Sequence, residues 1–200
     1  MIHPKNIKNH VRIMREAMEK REYRKLAQTG AVLTMDMLLW GGGVLSAMAF
    51  VLYMKNSGWP TIQGWMEASA ISSNMKKMND IFSGAAGYTG LANANVANTT
   101  IFQSRYLPGS GVINNRFGGT VTVGFVTTNT TADTMTYSET GVPSAACYTL
   151  ANQLADDVDR VSVGGVVVKA MNAALVPTTL NTQCNSAATV TVLAEKIKQS

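Results

Sequence analysis

With 200 residues the chain is long enough for one compact domain plus an anchor. Its formal net charge of +5 sits in one place: residues 1–30 hold eight Lys and Arg against three Glu, and the remainder carries nine of each sign, which leaves no basic surface for nucleic-acid phosphates. Both histidines, His3 and His10, fall in that basic segment, and no P-loop, GxGxxG, HExxH or CxxC occurs, so histidine-based triads and metal sites are excluded from the rest of the chain.

In chain order, residues 1–29 are polar, with weak helical periodicity over residues 11–26. Residues 37–54 carry no charge, and at 1.5 Å each they would span roughly 27 Å as a helix, close to the hydrocarbon core of a bilayer. A single acid, Asp36, stands at the entry of this run. It would cost up to about 3 kcal/mol deep in lipid, so it calls for a partner or a task; a plain helix-start acid favoured by the macrodipole is the alternative. The cations ahead of the run hold the N-terminus in the cytoplasm and send residues beyond Lys55 outward. Ala47-Met48-Ala49 mimics a signal-peptide cleavage site, but residues 50–54 continue the apolar run past it. An uncleaved membrane anchor is a further reading. Gly41, Gly42 and Gly43 interrupt the run and mark either a flexible point or a close helix contact.

Trp59-Pro60 predicts a kink or short break over residues 57–61. Beyond it Ala68, Ile71, Met75, Met78 and Phe82 recur at spacings of three and four, an amphipathic helix over about residues 62–83. Residues 84–119 are loop-rich, with a short helix or strand near residues 99–106. Residues 120–128 alternate as a half-buried strand, residues 129–133 turn, and residues 134–138 return with Met135 and Tyr137 inward. Pro143 suits the first turn of a helix running to about residue 157, with Cys147, Leu150, Leu154 and Val158 on one face. Residues 161–170 are β-branched and broken by Gly164-Gly165; a last short strand covers residues 189–193. The order implies an α+β fold: a long, kinked N-terminal helix packed on an antiparallel-sheet head with its C-terminal region closed by a disulfide. Cys147 and Cys184 lie on the exported side, where one disulfide is the natural reading and two buried thiols the alternative. The acids Asp156, Asp157 and Asp159 at a helix end read as a solvated face rather than an acid–base pair. No catalytic residue, cofactor or metal site is expected.

Three stretches, in this order along the chain, resemble one family. The first is the basic leader ending at the small-residue junction Thr29-Gly30-Ala31, with Asp36 just beyond. The second is Asn115-Arg116-Phe117-Gly118-Gly119 followed by a strand, similar to an NPFGG-then-strand segment. The third is Ser144-Ala145-Ala146-Cys147 entering a helix, paired with the late Cys184. The chain resembles the type IV pilins of class b, the group that includes bundle-forming pilins and the PilS-type pilins of conjugative thin pili. The resemblance implies a prepilin: residues 1–30 a cleaved leader, 31–58 a hydrophobic stem helix, 59–83 an amphipathic helix continuing into the head, and 84–200 the globular head. It also implies a prepilin peptidase, methylation of the new N-terminus, an inner-membrane assembly ATPase system, and a homo-polymer. The protein would pass from the inner membrane of a Gram-negative bacterium to an extracellular filament for adhesion or conjugative mating contact.

Cleavage after Gly30 makes Ala31 the first mature residue and Asp36 the sixth. Cleavage after Ala31 makes Val32 first and Asp36 fifth, the family's place for an acid, which is usually Glu. In either register Asp36 would be the assembly carboxylate. A minor pilin or pseudopilin, and an uncleaved membrane-anchored binding domain or enzyme, are the competing readings.

Overall fold

The computed structural model describes residues 42–198, except residues 98 and 103. The chain divides after Leu52 into two units, described separately. In the first, residues 42–52 are helical (α1) and exposed on every side. Gly42 and Gly43 begin the described part of that helix with open space at their Cβ positions, and Gly41 lies outside the described residues. Among the described residues no helix is long and apolar enough to cross a membrane; residues 37–41 of the uncharged run lie outside them.

The second unit opens on a π-helical turn, Met54–Gly58, and then α2, Trp59–Ile81. The backbone N–H of Trp59 donates five residues back, to the carbonyl of Met54. Pro60 has no N–H to continue the ladder, and the preceding turn widens instead of breaking, so the expected kink takes this form. Four of the five residues of the expected stripe on α2, Ala68, Ile71, Met75 and Met78, are buried, and Phe82 packs partly against the same core.

After a one-turn helix, α3 (Asn93–Val96), the chain forms a single antiparallel sheet: β1 Tyr106–Leu107, β2 Val112–Asn114, β3 Thr120–Val126, β4 Thr134–Pro143, β5 Arg160–Val163, β6 Val166–Lys169 and β7 Thr189–Ile197. Its spatial order is β1-β2-β3-β4-β7-β5-β6. The expected β3–β4 hairpin is present, with Val123 opposite Tyr137 and Phe125 opposite Met135. The β-branched run around Gly164-Gly165 is a second hairpin with a two-residue turn.

Three expectations need correction. Pro143 is the last residue of β4, with ψ of 144°, and α4 runs Ser144–Leu154 behind it; an extended Pro is a ready exit from a strand because its φ already suits both states. The short terminal strand is a nine-residue strand, β7, which threads between β4 and β5 and has neighbours on both sides. A helix, α5 (Pro177–Cys184), occupies what composition marks as loop; its polar threonines and asparagine face out while Leu180 and Cys184 are buried.

Helices α2 and α4 pack on one another and on the sheet. The tightest approach is at Gly64, where a Cβ would stand 2.7 Å from the carbonyl oxygen of Ala146. Gly64→Val therefore has to push α4 away from α2 and is expected to cost about 1–3 kcal/mol, seen as a lower urea midpoint with an unchanged slope.

Candidate functional site

Gly30, Ala31, Val32 and Asp36, the expected cleavage junction and assembly carboxylate, lie outside the described residues. Cys147 and Cys184 are joined in a disulfide with their Cα atoms 5.5 Å apart. It links the first turns of α4 to the last residue of α5, and both sulfurs are buried in the core. Of the acids after α4, Asp157 accepts the Ser72 hydroxyl at 2.6 Å and Asp159 accepts the backbone N–H of Ile197 at 2.7 Å. They fasten the turn to α2 and β7, a use that the solvated-face reading had not foreseen. Asp156 is exposed, as expected. Among the described residues no group of three or more His, Cys, Asp or Glu is placed to hold a metal ion.

The apolar surface is unevenly distributed. On α1, Val44, Leu45, Met48, Phe50, Val51 and Leu52 are all about half to two-thirds exposed. On α2, Trp59, Ile62 and Trp65 repeat every three residues on a face turned away from the buried stripe, and they too are exposed. A lone apolar residue at a surface is ordinary, but contiguous patches of this size mark a surface that another molecule covers.

Beneath α2 lies a group of charges that the sequence reading did not single out. Glu67 is completely buried, and Arg105 meets it as a fork: Nη1 donates to Oε1, and Nη2 donates to Oε2 at 3.1 Å. Arg116 adds its Nε to the same Oε2 at 3.3 Å. Burial works against the charge of Arg105, but the hydrogen bonds and proximity to Glu67 outweigh it and hold the guanidinium above its ordinary value. Glu139, from the middle of β4, is also fully buried, and neither of its carboxyl oxygens has a hydrogen-bond partner in good alignment. Burial first, and the neighbouring charge of Glu67 second, push Glu139 well above the usual carboxylate range. Both effects favour its neutral form, since neighbouring carboxylates in the core repel one another. Tyr137, two residues earlier on the same face, is raised by burial and then by Glu139. The signal for this cluster was present in the sequence: Glu67 is four residues before Ile71 and so belongs to the buried stripe, where a lone acid needs a partner.

Arg116 is presented by a rigid turn. The Asn115 side chain accepts from the backbone N–H of Phe117 at 3.0 Å and of Gly119 at 2.8 Å, and donates to the Thr140 carbonyl at 2.7 Å. Gly118 has φ of 83°, and a Cβ on Gly119 would overlap the Thr140 carbonyl at 1.9 Å. The Asn-Arg-Phe-Gly-Gly stretch is thus a fold element: its Asn closes the turn and its glycines allow β3 to start against β4.

At the far end of that hairpin Asp133 accepts the backbone N–H groups of Thr128, Asn129 and Thr130 at 2.8 to 2.9 Å, as well as the Thr134 hydroxyl. The Thr130 amide leads these donors, and together they overcome desolvation and lower Asp133 to about 2.

Residues 63–195 match the family model described as PilS N terminal. Among solved structures the chain is similar to a type IV b pilin from Salmonella typhi, with 17% identity and a TM-score of 0.52 over 67% of this chain and 99% of that one. It also aligns with TcpA, a type IV pilin from the Vibrio cholerae El Tor biotype, with 17% identity and a TM-score of 0.49 over 67% of this chain and 98% of that one. At 17% identity the Salmonella likeness concerns the fold alone. No curated protein sequence matches the chain.

Arg105→Ala removes the forked pair and leaves buried Glu67 with the single Arg116 contact, so it is expected to cost up to about 3–5 kcal/mol in a urea titration. Glu139→Gln, which puts a neutral amide where the neutral acid is favoured, should cost far less. The pH dependences have opposite signs. Glu139 has its folded pKa raised, so its contribution is full below its unfolded value and is lost as pH rises towards the folded one. Glu139→Gln should flatten that alkaline decline. Asp133 has its folded pKa depressed, so its contribution is full above the unfolded carboxylate value and disappears as pH falls through about 2; Asp133→Asn should flatten the acid limb.

Proposed function

The chain belongs to the PilS family, and on that premise we propose that it is the structural subunit, the major pilin, of a type IVb pilus. It performs no catalysis and acts by polymerising. Residues 1–30 are the leader that a prepilin peptidase removes, leaving Ala31 or Val32 as the methylated N-terminus. Residues 31–58 are the stem, lodged in the inner membrane of a Gram-negative cell until an ATP-driven assembly system draws the subunit into a filament. Residues 59–83 continue into the head formed by residues 84–200, whose loops the filament offers for adhesion or mating contact.

The observation that carries this reading is the exposed apolar surface of α1. Lipid can cover such a helix before assembly and other copies can cover it afterwards, while water cannot. Asp36 gives the arrangement its register. In an apolar filament core the freed α-amino group of one subunit meets the carboxylate of another, and a subunit placed wrongly strands both charges. Such a pair specifies position more than it adds stability.

Two measurements test the proposal. N-terminal sequencing of protein recovered from the cell surface should begin at Ala31 or Val32, and recovery with Met1 intact would overturn the reading. Asp36→Ala should abolish filaments in negative-stain images while leader removal continues, whereas normal filaments from that variant would remove Asp36 from its role.

A further inference from the structure

The Glu67 group does more than neutralise itself. Two guanidinium groups, Arg105 and Arg116, converge on the single carboxylate of Glu67, while the neighbouring buried Glu139 makes no ion pair with either. Arg105 spends both terminal nitrogens on Glu67. Arg116 spends only its Nε, and its side chain is 36% exposed. Its two terminal nitrogens have no hydrogen-bond partner among the described residues, and they belong to a shallow groove lined by Ser104, Arg105, Leu107, Asn114, Asn115 and Arg116. The turn that carries Arg116 is fixed by the Asn115 side chain, so little conformational freedom remains to be lost on binding. A planar pair of N–H donors on a partly exposed guanidinium is complementary to a carboxylate, which it can grip with two parallel bonds.

Two acids of the head, Asp80 and Asp156, are exposed and make no side-chain hydrogen bond or ion pair among the described residues; Asp80 stands on α2 one turn beyond Lys76 and Lys77, whereas Asp156 stands in the turn after α4. Asp157 and Asp159 are occupied by Ser72 and by the backbone of Ile197, whereas Asp156 is exposed and makes no hydrogen bond or ion pair among the described residues. The two features flank α2 on different sides. Glu67 anchors the arginine groove and Ser72 anchors the acidic turn, and five residues of helix turn through about 140°. In the sheet, the groove adjoins β1 and β2 at one edge, while the acidic turn leads into β5 towards the other. A contact from the groove of one copy to the turn of the next joins two different surfaces, so it is heterologous and propagates along an assembly instead of closing a two-fold dimer.

We propose that the groove formed by Arg105 and Arg116 receives the Asp156 carboxylate of a second copy of this chain, as a head-to-head contact between successive subunits. This inference rests on the polymer reading above and adds to it a named pair of surfaces.

The test uses the full chain expressed in cells that assemble it. A chain carrying both Arg116→Cys and Asp156→Cys should, after mild oxidation of the filaments, run as a ladder of multimers on a non-reducing gel and collapse to monomer on reduction. Either cysteine alone should give no ladder beyond the wild-type pattern. Independently, Arg116→Glu and Asp156→Arg should each lower the sheared filament yield by about tenfold or more, and the double reversal should recover most of it. Asp156→Arg changes only an exposed side chain, so its loss of yield is not confounded by the fold of the head. Filaments that form normally but give no ladder, or a double reversal that rescues nothing while its head keeps wild-type protease resistance, would overturn the contact and leave the pilin reading standing. Absence of any filament from the wild-type chain would instead overturn the pilin reading, and the contact with it. Normal filaments from Arg116→Glu that no longer attach to host cells would assign the groove to an acidic receptor and refute the subunit contact.

Discussion

Helix α2 has to lie flat on the sheet while carrying an acid on the face it buries, and the forked ion pair between Glu67 and Arg105 is what makes both conditions compatible. An unpaired carboxylate there would cost several kcal/mol and lift the helix. With Arg105 and Arg116 in place, the loop preceding β1 and the turn preceding β3 are both tied to the same helix. Burial of Ile71, Met75 and Met78, worth about 1.5–3 kcal/mol each, then proceeds around a satisfied charge. Glu139 lies buried beside Glu67, and burial together with that neighbour holds its pKa well above the usual carboxylate range.

The rest of the head follows from how the chain returns to that helix. The last strand, β7, lies between β4 and β5 and completes the sheet by pairing with both. Two devices hold the returning segment. The Cys147–Cys184 disulfide closes the 147–184 loop, which in the chain-entropy model contributes about 4 kcal/mol, and Asp159 receives the amide of Ile197 at the end of β7. Arg160 pairs with the nearly buried Glu195 across the β5–β7 ladder. Buried acids met by partly exposed arginines therefore occur twice, once beneath α2 and once within the sheet.

Among the described residues, the apolar side chains of α1 and, in the second unit, the Trp59, Ile62 and Trp65 face of α2 stay exposed. The division of labour is physical. The head is closed by its own core and its disulfide, whereas on the proposed reading lipid or further copies cover the apolar helix. On that reading, assembly would transfer the same apolar surface from one non-aqueous environment to another, driven little by hydrophobicity itself. Polar contacts, whose partners must match, are left to decide where each subunit sits.

What the sequence determined by itself was whatever rests on local periodicity and on charge placement. The α2 stripe of Ala68, Ile71, Met75 and Met78 and the β3–β4 hairpin both follow from neighbours a few residues apart. The pairing of Cys147 with Cys184 was legible because no other cysteine competes. The tertiary structure alone decided the central place of β7, the strand state of Pro143, and the helix at Pro177–Cys184, whose mostly polar sequence only the neighbouring core and the disulfide hold helical. It also decided that the glycines of the Asn-Arg-Phe-Gly-Gly turn serve a close approach to Thr140, and that Glu67, Glu139, Arg105 and Arg116 meet. Those residues are drawn from a helix, a strand and two loops up to 72 positions apart. No pattern within one segment can register a charge balance that exists only after distant segments have been brought to the same few ångströms.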